Sequence, residues 1–108
     1  MPVECIEVRT TTDTKEDAAK IANALVISRL AACVQISSPI VSTYWWKEQV
    51  ETAEEWICTA KTRKDLYDAV EKAIRAVHSY DEPEIIAIDI VNGSESYLDW
   101  IKEETTTK

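Results

Sequence analysis

The chain has 108 residues, 45% of them hydrophobic, a length that suits one domain with a thin core. Acidic residues outnumber basic ones by 20 to 12, and the net charge of −8 repels phosphate groups, so we expect no nucleic-acid partner and no membrane partner. Residues 1–9 lack the order of a signal peptide, and three cysteines without a close pair favour a reducing compartment. We therefore predict a single domain over residues 1–108, located in the cytoplasm.

The N-terminal half predicts a strand, a helix and a long hairpin. Residues 3–10 alternate between apolar and charged side chains, as a half-buried strand does. Asp13, with a glutamate three positions later, fits the start of a capped helix that extends to about Ala31. A short β-rich run from Cys33 precedes two longer runs, residues 40–46 and 50–61, which predict the hairpin.

Two adjacent tryptophans, Trp45 and Trp46, end the first strand of the predicted hairpin. Successive side chains of a strand point to opposite faces, so the two rings cannot enter the same core. Leaving so large an apolar ring in water costs about 1.5–3 kcal/mol relative to burying it. We therefore predict an aromatic-lined interface between subunits.

The C-terminal half predicts a helix, a strand and a last short helix. Thr62 is placed to cap the first of these helices, which stops near His78 because Pro83 bars its continuation. Residues 85–91 are almost wholly apolar, which predicts a central strand covered on both faces. Ser94 can cap the last helix. The order of elements predicts an α+β fold, a ferredoxin-like βαββαβ sandwich with an extended central hairpin and a C-terminal helix.

His78 is the only histidine, and it is the first candidate for metal or acid–base chemistry near neutral pH. A neutral ring nitrogen can bind copper or another divalent ion, with Glu84 or a carboxylate from a neighbouring subunit supplying oxygen. Alternatively, a histidine that closes a helix interacts with the last carbonyl groups of that helix. The two roles are compatible, and the sequence leaves both open.

The sequence lacks the motifs of several common catalytic, metal-binding and phosphate-binding sites. The chain contains no Ser–His–Asp order and no H-E-x-x-H element, and a single glycine argues against a phosphate-binding loop. We therefore expect no organic cofactor. Cys5 and Cys58 lie in predicted strands and are expected to be buried structural thiols, and the same is expected of Cys33, with a role as ligand or nucleophile as its alternative.

Four segments resemble, in order and spacing, the CutA family of divalent-cation tolerance proteins. They are RLAACV at 29–34, YWW at 44–46, HSYDEPEII at 78–86 and YLDWI at 97–101. The resemblance implies a compact homotrimer whose long strands pair across subunits. It also implies a non-enzymatic role in divalent-cation tolerance or homeostasis, with copper or another divalent ion as the bound metal.

The resemblance further implies clefts between subunits in which polar and aromatic side chains gather. The matching residues here, besides the metal candidates His78 and Glu84, are Cys33, Trp46, Glu55, Lys61, Tyr80, Tyr97 and Trp100. A carboxylate, an ammonium and an imidazole in one cleft suffice for acid–base chemistry. A small-molecule-binding or hydrolytic site built from His78, Lys61 and Glu55 is therefore the alternative function. A signalling role with an unidentified protein partner is a third hypothesis.

Three of the departures from the family pattern concern the copper site and the hairpin. Copper in some members is attributed to the histidine together with a cysteine near the end of the first strand, where this chain has Thr10. A second histidine of some relatives is replaced by Val77. The hairpin turn reads Lys47-Glu48-Gln49-Val50 without the usual glycine, so we expect a longer or different turn.

Overall fold

The computed structural model describes residues 3–106 as an α+β fold with five strands and three α-helices. The elements in chain order are β1 (Cys5–Thr12), α1 (Lys15–Ile27), β2 (Cys33–Ile36), β3 (Ile40–Trp46), β4 (Gln49–Arg63), α2 (Tyr67–Val77), β5 (Ile86–Asp89) and α3 (Glu95–Glu104). A 3₁₀ turn, Lys64–Leu66, directly precedes α2. The predicted α+β class is therefore confirmed.

Strand β4 is the longest element and joins two parts of the sheet. Its C-terminal half pairs with β1 on one side and β2 on the other, while its N-terminal half pairs with β3. Strand β5 pairs with the far side of β1, which gives the order β2-β4-β1-β5. All of these pairs are antiparallel, and the β3–β4 pair is the long hairpin that the sequence predicts.

The hydrophobic core lies between the sheet and the two helices α1 and α2. Burying each large side chain here contributes about 1.5–3 kcal/mol relative to leaving it in water. The alternation predicted for β1 places two of its apolar residues in this core. The buried cluster consists of Ile6, Val8, Ile21, Leu25, Ala31, Ala60, Val70 and Ile74.

Two helix caps differ from the prediction. The N-cap of α1 is Thr14 rather than Asp13, and its Oγ1 accepts a hydrogen bond from the amide of Asp17 at 3.0 Å. Thr62 does not cap α2, because it lies inside β4 and its hydroxyl donates to the carbonyl of Leu30 at 2.6 Å. The hydroxyl of Thr62, which the local sequence predicted as a helix cap, therefore binds a carbonyl group that is distant in the sequence.

Helix α1 ends at Ile27, earlier than the predicted end near Ala31. Arg29 adopts a left-handed conformation with φ of 62°, which stops the helix. The amide of Leu30 then donates to the carbonyl of Leu25 at 2.9 Å, as in a Schellman end. Because this end normally uses glycine, nothing in the local sequence marks it.

Strand β5 lies at an edge of the sheet, so the prediction of a central strand covered on both faces is wrong for the single chain. All four of its residues are exposed, including Ile86 and Ile88. Among the described strands, β5 pairs only with β1. An exposed apolar edge of this kind is a template for pairing with another chain.

The hairpin has a two-residue turn with positive φ, so the expectation of a longer or different turn is also wrong. Trp46 pairs directly with Gln49. Lys47 and Glu48 between them have φ of 50° and 68°, the geometry of a type I′ turn that favours Asn-Gly. Both turn residues are therefore strained, and Trp45 and Trp46 are both exposed beside them.

Candidate functional site

His78 follows the last residue of α2, and its ring connects this helix end to β1. Its Nε2 atom lies 2.8 Å from the carbonyl oxygen of Thr11, and its Nδ1 atom lies 3.0 Å from the amide nitrogen of Tyr80. Because an amide N–H only donates, Nδ1 accepts this bond and Nε2 carries the proton that it donates to Thr11. The ring therefore bridges to β1, whereas the alternative interpretation expected it to bind the carbonyls of its own helix.

This hydrogen bonding does not fit a metal ligand as it stands. A metal needs the lone pair of a neutral ring nitrogen, and the lone pair of Nδ1 already accepts from Tyr80. Within residues 3–106 no group of three or more His, Cys, Asp and Glu side chains converges on a point where a metal could sit. Thr10, at the position of the family's cysteine, is buried. The described residues of one chain therefore do not by themselves form a cluster of three or more metal ligands.

Tyr80 continues from His78 to a buried carboxylate on β4. Its hydroxyl donates to Oε2 of Glu55 at 2.7 Å, and Glu55 is only 7% exposed. Burial, and then this hydrogen bond, raise the pKa of Tyr80 above its ordinary value of 10.0. The phenol therefore stays protonated at neutral pH and holds the loop after α2 against β4.

A groove of about 710 Å³ lies between the hairpin and the loop that follows α2. Three uncharged hydroxyl residues line it, and the other eight lining residues are aromatic or acidic. The aromatic ones are Tyr44, Trp45, Trp46 and Tyr80, and the acidic ones are Glu55, Asp81, Glu82 and Glu84. None of the lining residues in the described part of the chain is basic. The groove therefore offers a negative, aromatic surface.

Four of the residues predicted for a cleft or a metal site line this groove together, namely Trp46, Glu55, Tyr80 and Glu84. Tyr44 was not among the predicted site residues, although it precedes Trp46 by two positions and so shares its face of β3. Asp81 and Glu82 were not among them either, although both lie inside the segment that carries the family resemblance. The alternation and the run of acidic residues were the signals that could have identified all three.

Apart from His78, the remaining predicted residues form a separate cluster at α3, namely Cys33, Lys61, Tyr97 and Trp100. The Sγ atom of Cys33 lies 3.8 Å from the hydroxyl oxygen of Tyr97, and the rings of Tyr97 and Trp100 have centroids 5.5 Å apart. Cys33 pairs with Lys61 across the ladder of β2 and β4. Burial, and then the contact with Cys33, raise the pKa of Tyr97.

The alternative hydrolytic site is not assembled within one chain. The ammonium of Lys61 binds the side-chain oxygen of Gln35 and lies 3.7 Å from a carboxylate oxygen of Glu7. Glu55 instead binds Tyr80, and the ring of His78 binds two backbone groups. No hydrogen bond or ion pair among residues 3–106 joins the three members of the proposed set.

The three thiols are free, and two of them are buried as predicted. Burial raises the pKa of Cys5, and it raises the pKa of Cys58 to about 11. Both thiols therefore hold their protons at neutral pH and are weak nucleophiles there. Cys33 is only half-buried, unlike the prediction, and its contact with Tyr97 is the weak hydrogen bond described above.

Residues 6–104 match the sequence model of a family described as CutA1 divalent ion tolerance protein. The chain belongs to the CutA1 family. The chloroplastic protein CutA 1 of Oryza sativa is 41% identical over 95% of this chain, which spans only 58% of the rice protein. The divalent-cation tolerance protein CutA of Thermus thermophilus is 39% identical over 88% of the chain and 92% of its own length.

A solved CutA structure has the same fold as this CutA1 chain. It is the periplasmic divalent cation tolerance protein CutA of Archaeoglobus fulgidus, with a TM-score of 0.91 and 38% identity over 94% of this chain and 99% of that one. The similar proteins therefore include chloroplastic and periplasmic forms, and membership of the CutA1 family does not fix the compartment. Within residues 3–106, no helix has the length and hydropathy needed to cross a membrane.

Proposed function

We propose that this divalent-cation tolerance protein works without catalysis, as a homotrimer that attracts and binds divalent cations at acidic groups. The observation that carries the proposal is the groove, whose lining, among residues 3–106, holds four carboxylates and no basic side chain. The net charge of −8 adds a long-range attraction for cations. Cation binding needs no assembled acid–base set, and the three residues of the hydrolytic alternative are not joined within one chain.

Exposed apolar surface supports the assembly into a trimer. Val41, Trp45 and Val50 lie on one face of the hairpin and are 76%, 73% and 56% exposed. The edge strand β5 is exposed and apolar as well. Pairing of hairpins and edges between subunits would cover both surfaces, because unpaired edges and apolar patches favour association.

The connectivity supports a ferredoxin-like description of each subunit. The strand order β2-β4-β1-β5 places β1 and the long strand β4 side by side at the centre. Helix α1 connects β1 to β2, and helix α2 connects β4 to β5. This is the arrangement of a split βαβ sandwich in which β2 and β3 together form the second strand.

For copper, we propose a site made by His78 and Glu84 with at least one further ligand from a neighbouring subunit. Nδ1 of His78 becomes available only when the amide of Tyr80 releases it. The lost hydrogen bond weakens the site. A site of nitrogen and oxygen ligands also favours Cu(II) over Cu(I), because the soft thiolate that Cu(I) prefers is replaced by Thr10.

Native mass spectrometry, without metal and with Cu(II), tests assembly and copper together. We expect a mass of three times 12.2 kDa and a copper uptake that falls in both His78→Ala and Glu84→Gln. Glu16→Gln, an exposed carboxylate at the start of α1, is the matched control and should keep the copper. A monomer would overturn the assembly, and uptake unchanged by both site substitutions would overturn the copper site.

We also propose a cytoplasmic location, which the three free thiols support because reducing compartments keep cysteines unpaired. Cell fractionation with antibodies against the protein tests this. Recovery with a periplasmic or organellar marker would contradict it.

A further inference from the structure

We propose that the groove binds a small organic cation that carries an alkylated ammonium group, the chemical class to which choline belongs. This inference goes beyond divalent-cation tolerance, and it stands on the groove of a single chain. Four features of the groove support it: the shared face of Tyr44 and Trp46, the negative charge of its carboxylates, the ammonium already near one ring, and its size.

Two aromatic side chains and one carboxylate of the groove lie on one face of the hairpin. Tyr44 and Trp46 alternate along β3 and therefore point the same way. Their cross-strand partners are residues 51 and 49, so Glu55 follows on the same face of β4 at the same two-residue spacing. The loop after α2 brings Tyr80 to this face through its hydrogen bond with Glu55.

The carboxylates of the groove are not neutralised by ion pairs among the described residues, and the ammonium of Lys47 lies over the ring of Trp46. Glu55 is nearly fully buried, and its one side-chain partner is a neutral phenol. None of the ion pairs among residues 3–106 includes Glu55, Asp81, Glu82 or Glu84. A buried carboxylate without a positive partner is unfavourable, so a bound cation would relieve this cost.

The aromatic rings select the kind of cation. A bare divalent ion needs several oxygen or nitrogen ligands that converge, and the described residues contain no such cluster. Alkylated ammonium groups are large and weakly hydrated, and they bind to the faces of tryptophan and tyrosine rings. Within one chain, an aromatic groove edged by carboxylates can therefore hold an organic cation, whereas a metal ion would need further ligands from a neighbouring subunit.

One ammonium already lies near a ring of the groove. The Nζ atom of Lys47 is 5.7 Å from the ring centroid of Trp46, within the range of a cation–π contact. The chain thus shows that the ring of Trp46 is accessible to a positive group at the hairpin tip. The groove volume of about 710 Å³ also falls in the range of small-molecule sites, roughly 300–1,000 Å³.

Titration of the metal-free, full-length protein with choline chloride tests the proposal, by isothermal calorimetry and by tryptophan fluorescence at constant ionic strength. The neutral compound 3,3-dimethylbutan-1-ol has the same shape as choline without the charge and serves as the ligand control. We expect choline to bind at one site per subunit. The neutral alcohol should bind with an affinity that is lower by a factor of roughly ten or more. Equal binding of the two compounds, or no binding of choline, would overturn the proposal.

Substitutions locate the binding. Trp46→Leu should weaken choline roughly tenfold, while Trp46→Phe, which keeps a ring, should weaken it less. Asp81→Asn with Glu82→Gln should also weaken choline, whereas the matched pair Glu16→Gln with Asp68→Asn, on the helices outside the groove, should not. Choline binding unchanged in Trp46→Leu would overturn the site. Because no metal is present, the result is independent of the copper measurement.

Discussion

His78 and Thr11 are joined by a hydrogen bond of 2.8 Å between the ring atom Nε2 and a backbone carbonyl, across 67 positions of sequence. The carbonyl belongs to the second-last residue of β1, and the histidine stands directly after α2. The bond therefore fixes the end of a helix to the end of a strand. It also sets the direction in which the loop continues to Tyr80, the first residue of that loop to line the groove.

Loss of this link should destabilise the protein. His78→Ala removes two hydrogen bonds and leaves the Thr11 carbonyl without its ring partner, which costs about 1–3 kcal/mol in the free energy of unfolding. Urea denaturation monitored by circular dichroism measures the change. Ser79→Ala, at the exposed neighbouring position, should stay within about 0.5 kcal/mol of the parent. Equal stability of the two variants would contradict a structural role for the histidine.

The hydrogen bond between Tyr80 and Glu55 should appear as coupling in a double-mutant cycle. Tyr80→Phe leaves a buried carboxylate without its donor and should cost about 1–3 kcal/mol, whereas the same change in the Glu55→Gln background should cost less. Denaturation of the four proteins gives the coupling energy. Additive effects of the two substitutions would mean that the coupling energy between Tyr80 and Glu55 is zero, which would contradict the prediction.

Relief of the strained turn should stabilise the hairpin. Lys47→Asn with Glu48→Gly places the residues that a type I′ turn favours at two positive-φ positions, and we expect a gain of about 0.5–1 kcal/mol after the added chain entropy is deducted. Thermal and urea unfolding measure it. Gln49→Gly, inside β4, should lower stability instead. A loss in the turn variant would mean that the two side chains make contacts worth more than the strain.

Stability should fall in alkaline solution as Cys58 ionises. Burial raises the pKa of this thiol from its ordinary 9.0 to about 11, so between these values the native state holds a proton that the unfolded chain has lost. The stability that the protonated Cys58 thiol contributes to the folded state is complete below pH 9.0, and it decreases as the pH rises towards about 11. Urea unfolding across this range should show a shallower decline in Cys58→Ala than in the parent. Parallel declines would assign the effect to other groups.

A charge on the apolar face of the hairpin should dissociate the proposed trimer. Trp45→Glu places a carboxylate where the ring would be covered by a neighbouring subunit, and desolvating that charge is unfavourable. Sedimentation equilibrium should then show a shift towards monomer. Ile27→Glu is the control, because Ile27 is equally apolar and exposed but ends α1, away from the hairpin. Dissociation by both, or by neither, would remove the hairpin face from the interface.

Local patterns predicted most of the fold because they act over a few residues. The alternation of β1, the long hairpin and the Ser94 cap of α3, whose Oγ accepts from the amide of Tyr97, are all found in the structure. The errors occur where no local signal exists. Arg29 and Glu48 occupy left-handed conformations without being glycine. The apolar run of β5 predicts that the strand is buried, but it does not indicate whether the same chain or a neighbouring subunit buries it.

The candidate site was predictable as a set of residues but not as an arrangement. Glu55 and Tyr80 were both expected in a cleft, yet their direct bond depends on how the loop after α2 folds back on β4. The assignment of Lys61 to the same cleft could not be judged from spacing, because its place beside Cys33 follows from the pairing of β2 with β4. The bridge from His78 to β1 uses a backbone carbonyl, which no side-chain motif can indicate.

The fifteen-residue strand β4 takes part in both the core sheet and the projecting hairpin. Insertion or deletion of one residue in its middle would reverse the facing of every residue beyond that point, because strand side chains alternate with a period of two. Either the core residues of β4 or its groove residues would then point to the opposite face of the sheet. Changes in length are therefore tolerable only at the two-residue tip or outside the strand, because the length of β4 fixes the position of the groove residues relative to the core.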